Sequence, residues 1–219
     1  MPEPRRLVIW RHGRTKWNAE QRFQGQTDVD LDEVGIAQAE RAAGMLATLR
    51  PNLIVSSDLS RARNTAEPLA RLLGMPVEED IDLRETFAGS WEGLTRAELE
   101  QLPGPSIAQW AVDSDIRPGV TGETRREVAT RVVAAVERAL VRVPDGGCLV
   151  LVTHGGAARA GIGALLGLPP EHWAMLGVLS NASWSVLLES RQLQHGGPPW
   201  RLAEYNAGTL PEPALADDR

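Results

Sequence analysis

Arg11, His12, Gly13, Arg14 and Thr15 follow directly on the apolar run Leu7 to Trp10, with no spacer between them. A guanidinium leaving a buried strand needs an anion, or it carries a desolvation cost of several kcal/mol. Phosphate, which accepts planar bidentate contacts from arginine, is its natural partner. An imidazole beside it, with an unperturbed pKa of about 6.5, offers a neutral nitrogen to phosphorus near physiological pH. Two other apolar runs end in the same way. "NLIVSSDLSRA" passes into Ser57, Asp58 and Arg61, and "CLVLVTHGG" into His154, Gly155 and Gly156. Of the four histidines only His12 and His154 hold such positions, while His172 and His195 fall in turn-like surroundings.

Each of these residues also has an ordinary reading. One histidine at a strand end is commonly hydrogen-bonded structure, and Gly13, Gly155 and Gly156 serve equally as turn residues or as places where backbone N–H groups approach an anion. The coincidence of two histidines and several arginines at matching strand ends is what points to chemistry. A zinc site is disfavoured, because it needs three or four ligands and a cationic arginine beside each histidine would oppose the ion. A serine triad through Ser56 or Ser57 is disfavoured too, since neither serine stands in a Gly-x-Ser-x-Gly elbow.

The convergence requires a parallel sheet. Uninterrupted apolar runs without period-two alternation suit strands covered on both faces, and helical patterns separate them. "LDEVGIAQAERAAGMLATLR" places Val34, Ala37, Ala42, Leu46 and Leu49 on an apolar stripe with Asp32 as N-cap. "SRARNTAEPLARLLG" ends at Gly74, with a kink or restart expected at Pro68. "GETRREVATRVVAAVERALVRV" repeats Val128, Val132, Ala135 and Ala139 at helical spacing. Alternating strands and helices predict an α/β fold, a three-layer α/β/α sandwich on a mostly parallel sheet, whose strand ends form the ligand crevice. The proline- and glycine-rich stretch 103–122 reads as a cap over the site or as a surface excursion. "NASWSVLLES" and "PWRLAEYN" read as late strands joined by "HGGPP", within one domain over 1–208, and 209–219 reads as a disordered tail.

Composition narrows the partners. A net charge of −6, from 23 Lys+Arg and 29 Asp+Glu, argues against nucleic acid or an anionic membrane as the general partner. The lone Cys148 sits in an apolar run and reads as a small packed hydrophobe. Neither a signal-peptide pattern nor an apolar stretch of spanning length is visible, so a cytoplasmic protein is expected, and a homodimer is compatible with the sequence.

Taken together, "LVIWRHGRTKWN", "FQGQTDVDLDEVGIAQA", "IVSSDLSRARNTA", "LRETFAGSWEGLT", "GET" and "LVTHGG" resemble, in order and over nearly the whole chain, the histidine phosphatase superfamily, phosphoglycerate mutase-like and marked by its Arg-His-Gly motif. The resemblance implies a phosphohistidine intermediate, a small phosphomonoester substrate, and no metal or cofactor. It gives His12 the role of nucleophile, places Arg11, Arg61 and His154 around the phosphoryl group, and makes Glu85 the acid/base. Thr15, Asn18, Gln24, Gly25 and Gly155 match positions that touch phosphate or orient its loop. Without the motif, Glu85 reads as a salt-bridge partner of Arg84 or another arginine, and Asp28, Asp30 and Glu92 are rival acids.

The cofactor-dependent mutases of this superfamily carry a Tyr-Gly pair and a longer insertion. Here Ala88-Gly89 and a short connection favour hydrolysis. Within the phosphatases, the combination of "FQGQTDVDLDEVG", "ETFAGSWEGLT", "NASW" and "WRLAEYN" most resembles actinobacterial phosphatases acting on glucosyl-3-phosphoglycerate; broad-specificity and α-ribazole-phosphate phosphatases share much of the pattern. Trp91, Trp110, Trp173 and Trp184 read as sugar-stacking surface or as buried core. A catalytically silent phosphate-binding module is the rival from another class, opposed by the retention of nucleophile, arginines, second histidine and acid.

Overall fold

The computed structural model describes residues 3–190 and 198–208. In chain order it runs β1 (Arg6–Arg11), α1 (Lys16–Ala19), α2 (Glu33–Leu46), β2 (Leu53–Ser56), α3 (Ser60–Leu73), β3 (Glu78–Glu79), α4 (Arg96–Leu99), α5 (Ile107–Val112), α6 (Arg125–Leu140), β4 (Cys148–Thr153), α7 (Gly155–Leu165), β5 (Trp184–Glu189) and β6 (Trp200–Ala207). The strands form one sheet in the order β3-β2-β4-β1-β5-β6. β3, β2, β4 and β1 pair in parallel, and β5 runs antiparallel to both of its neighbours. The sheet is therefore mostly parallel, as an α/β sandwich requires.

The unbroken apolar runs serve two cores at once, because successive strand residues face opposite sides of a sheet. Val8, Trp10, Ile54, Val150 and Val152 pack with Ala42, Leu46, Ala62 and Leu69 of α2 and α3. Leu7, Ile9, Leu53, Val55, Leu149 and Leu151 pack with Ala135, Ala139, Ala158 and Ile162 of α6 and α7. The Trp10 indole N–H, fully buried, donates to the Ala182 carbonyl at 3.0 Å. Val128, Val132, Ala135 and Ala139 of α6 are all buried, as their spacing predicts.

Two local expectations are corrected. α2 begins at its Asp32 N-cap, whose carboxylate accepts from the Gly35 N–H at 2.8 Å, but its inward face is Gly35, Gln38, Ala39, Ala42, Ala43 and Leu46, and Ala37 is exposed. Gly35 sets this rotation: a Cβ there would stand 2.0 Å from the Arg14 carbonyl oxygen, so that face is pressed against the loop after β1. α3 continues through Pro68 without a break and stops at Gly74, in the left-handed conformation that favours glycine. Residues 103–122 contain α5, capped by Ser106. No described helix is long and apolar enough to cross a membrane. The expected turn at "HGGPP" falls largely, and the expected tail entirely, outside the described residues, as does His195; His172 is exposed.

Candidate active site

The register of the sheet assembles the site. β1 and β4 are adjacent and parallel with Arg11 opposite Thr153, so His12 and His154, each one residue further on, arrive side by side. Their rings lie 5.1 Å apart, and the His12 N–H donates to the Thr153 carbonyl at 3.0 Å. On the other flank of β4, Ser56 pairs with Val152, which brings Ser57 beside His154.

His12 is 2% exposed, and its Nδ1 lies 2.7 Å from the Gly13 carbonyl oxygen. A carbonyl only accepts, so Nδ1 carries the proton and Nε2 keeps its lone pair. Burial, then the charges of Arg61 and Arg11, hold His12 well below the usual imidazole range and therefore neutral. His154 is neutral too, held well below that range by burial and then by Arg61. Its Nδ1 accepts from Arg61 Nε at 3.1 Å, so its Nε2 is the donor to Ser57 Oγ at 2.9 Å. Arg61 is fully buried and donates through Nη1 to the Thr27 carbonyl at 2.9 Å and through Nη2 to the Gly25 carbonyl at 2.8 Å. These acceptors are neutral, and burial pulls the guanidinium down to about 10, an environment that an anion would relieve. Arg11 is also buried, with Nη1 on the Leu179 carbonyl.

Glu85 holds a different post from the salt bridge that its neighbour invites. Arg84 pairs instead with Asp58, Nε to Oδ1 at 2.8 Å, and holds that carboxyl below its ordinary range. Glu85 Oε1 accepts from the Thr86 and Ala157 N–H groups at 2.7 and 2.9 Å, and Oε2 accepts from the Gly156 N–H at 2.9 Å. The carboxylate thus covers the start of α7, where the helix dipole favours negative charge. This resolves the role of two glycines. The Gly156 N–H serves Glu85 rather than a bound anion, and a Cβ on Gly156 would stand 2.7 Å from Glu85 Oε1. Gly13 likewise gives its N–H to Thr65 Oγ1 at 2.9 Å, and a Cβ there would meet the Gly35 oxygen at 2.5 Å.

The rival acids are engaged elsewhere. Asp28 accepts from Ser60, Asp30 from Asn64, and Glu92 from the N–H groups of Gln26 and Ala88.

Arg11, His12, Asn18, Gln24, Gly25, Arg61, Glu85 and Gly155 border a cavity of about 660 Å³. Thr15 and His154 lie behind its wall rather than on it. Thr15 caps α1 in a reciprocal box with Asn18, and its hydroxyl is 3.0 Å from Gln24 Oε1, so it orients two bordering residues. His154 acts on Arg61 in the same indirect way. Of the four candidate tryptophans only Trp110 borders the cavity; Trp91, Trp173 and Trp184 are about 5% exposed and packed into the interior.

Three supporting residues have no reading in the sequence alone. Arg131 of α6 donates to the backbone carbonyls of Asp82, Arg84 and Glu85 at 2.6–2.9 Å, and to Glu123 of the "GET" segment, which fixes the loop carrying Glu85. Asn181 Nδ2 donates to the His12 carbonyl at 3.1 Å from within "NASW", a segment that had signalled only kinship. Arg125 also lines the cavity, and its helical register marks nothing but the first turn of α6.

Known proteins are similar throughout. The family model for the histidine phosphatase superfamily (branch 1) matches residues 7–206. A glucosyl-3-phosphoglycerate phosphatase of Mycolicibacterium vanbaalenii is 44% identical over 216 residues, covering 93% of this chain and 95% of that one. One from Mycobacterium tuberculosis is 42% identical over 218 residues, with 93% and 95% covered. The native structure of a mycobacterial glucosyl-3-phosphoglycerate phosphatase superposes with a TM-score of 0.86 at 42% identity, covering 94% of this chain and all of the other. This chain belongs to the histidine phosphatase superfamily, branch 1, and is a hydrolase of phosphate esters.

Proposed function

We propose that this enzyme removes the phosphate of glucosyl-3-phosphoglycerate through a phosphohistidine at His12, with no metal or cofactor. The observation that carries the reading is the neutral His12 imidazole, anchored through Nδ1 on the Gly13 carbonyl and set between two buried guanidiniums. In the first step Nε2 attacks phosphorus, the N–P bond forms and the ester P–O bond breaks. Glu85 passes to the leaving oxygen a proton that it takes up as the anionic substrate enters beside it. In the second step the Glu85 carboxylate takes a proton from water as the water oxygen attacks phosphorus, the N–P bond breaks and inorganic phosphate leaves. Arg11 and Arg61 neutralise the phosphoryl oxygens, and their fixed partners mean that little reorganisation accompanies reaction. His154 and Thr15 are positioning residues, acting through Arg61 and through Asn18 and Gln24.

The substrate assignment is supported by the two relatives above 40% identity that bear that name over almost their whole length. It is tested by kcat/KM for glucosyl-3-phosphoglycerate, 3-phosphoglycerate, phosphoserine and α-ribazole phosphate, with and without EDTA. The glucosylated ester is expected to lead, with chelator having no effect; a flat profile overturns the substrate, and chelator loss overturns the metal-free mechanism. Alkaline quench during turnover should trap an acid-labile phosphoryl label on His12.

A further inference from the structure

Trp110 and Arg125, on α5 and α6 rather than at a strand end, stand together in the wall of the same cavity. The Arg125 guanidinium carbon lies 4.2 Å from the Trp110 ring centroid, and Nη1 donates to the Ala111 carbonyl at 2.7 Å. The backbone N–H of Arg125 reaches the Ser114 carbonyl at 3.0 Å, so residues 110–114 grip a side chain that is only 4% exposed. Two donors of this packed pair have no acceptor among the described residues: Arg125 Nη2 and Trp110 Nε1. An unsatisfied buried donor costs about 1–3 kcal/mol, and more when it is charged. Arg159, one turn into α7, borders the same cavity. Burial and the charge of Arg159 pull Arg125 down to about 9, against the opposing fields of Glu85 and Asp113.

We infer that Trp110 and Arg125 bind the carboxylate of a phosphorylated hydroxy acid while His12 faces its phosphate. Guanidinium and indole N–H groups can only donate, so their occupant must accept. A carboxylate brings two accepting oxygens for two orphaned donors and a negative charge between Arg125 and Arg159; a hydroxyl brings neither the second oxygen nor the charge. The inference rests on the proposed function and assigns the part of the substrate that the phosphoryl pocket does not hold.

The test compares 3-phosphoglycerate with glycerol 3-phosphate, which differ at the carboxylate. Wild type is expected to favour the acid in kcat/KM, and Arg125→Met should lower that preference by about ten- to a hundred-fold, mostly through KM. Trp110→Phe, which keeps an aromatic ring beside the guanidinium but removes the N–H together with the pyrrole part of the indole, should lower it by a smaller factor, with 3-phosphoglycerate losing more than glycerol 3-phosphate. Glycerate should inhibit wild type more strongly than glycerol does, a measurement that needs no variant. Equal losses on both esters, or equal inhibition by glycerate and glycerol, would overturn the carboxylate site and leave a pair that merely braces α5. Failure of wild type to hydrolyse either ester or p-nitrophenyl phosphate would instead overturn the phosphatase reading itself.

Discussion

His12, Ser57 and His154, the inner groups, each stand at the carboxyl end of one of three adjacent parallel strands, His12 on the cavity wall and the other two behind it, whereas Trp110 and Arg125, the outer groups, stand on α5 and the start of α6. The inner groups are held by sheet register and by backbone carbonyls: Gly13 for His12, Thr27 and Gly25 for Arg61, Leu179 for Arg11. The outer groups owe nothing to sheet register: Arg125 leans on the Ala111 carbonyl and on the Trp110 ring, and Trp110 packs edge-on against Phe23 and Trp91 at 5.3 and 5.9 Å. The difference separates two tasks. Phosphoryl transfer tolerates little displacement, and its groups are fixed at the ends of the buried central strands. Choice of leaving group falls to segments whose lengths and sequences change without disturbing the sheet.

The largest effect should come from the inner end. His12→Asn removes the attacking nitrogen and is expected to lower kcat about 10⁴-fold or more on every ester, abolishing the alkali-stable label. Retention of normal turnover would refute a histidine nucleophile.

Next is Glu85→Gln. Its amide oxygen can keep the two bonds made by Oε1 and forfeits the one from Gly156, so the loop should stay folded. Turnover of an alkyl phosphate should fall about 10²–10⁴-fold, and that of p-nitrophenyl phosphate far less, because a good leaving group needs no proton. Equal losses on the two would remove Glu85 from the acid role.

Gly13→Ala sharpens the contrast through stability. The added methyl would meet the Gly35 oxygen at 2.5 Å, backbone against backbone, so the variant should lose about 1–3 kcal/mol, read as a lower Tm in calorimetry. A comparable alanine at Gly44, where the added carbon would meet nothing beyond its own stretch of helix within 4 Å, should leave Tm unchanged or raise it.

The smallest effect is on pH. Burial holds His154 below the ordinary imidazole range, so folding favours its neutral form. The stability from this source is full above the unfolded value of about 6.5 and is lost as pH falls toward the folded one. The Tm advantage of wild type over His154→Gln should therefore shrink between pH 7.5 and pH 5; an advantage that grew on acidification would contradict a neutral buried imidazole.

Much of this was legible in the linear chain because the relevant signals are local. An apolar run followed at once by Arg-His-Gly states both the strand and what stands at its end, and a run without alternation states that both faces are covered. The rotation of α2 was not legible, since Ala37 and Ala39 are the same residue type and only the contact of Gly35 with the Arg14 carbonyl decides which of them turns inward. Pro68 gave a breaking signal that the buried packing of α3 overrides. Arg131, Asn181 and Arg125 carried no signal, because each acts on backbone or ring atoms that are remote in the chain.

The sequence by itself determined the strand ends, their charges and the family to which they belong, since composition and short-range order suffice for those. Only the tertiary structure decided that Glu85 faces the start of α7 rather than Arg84, and that His154 supports Arg61 from behind the cavity wall. It alone set Trp110 against Arg125, with two donors left over. Such choices depend on which of several competing partners arrives within about 3 Å, and that distance is set by the register of strands and helices that meet only in the folded chain.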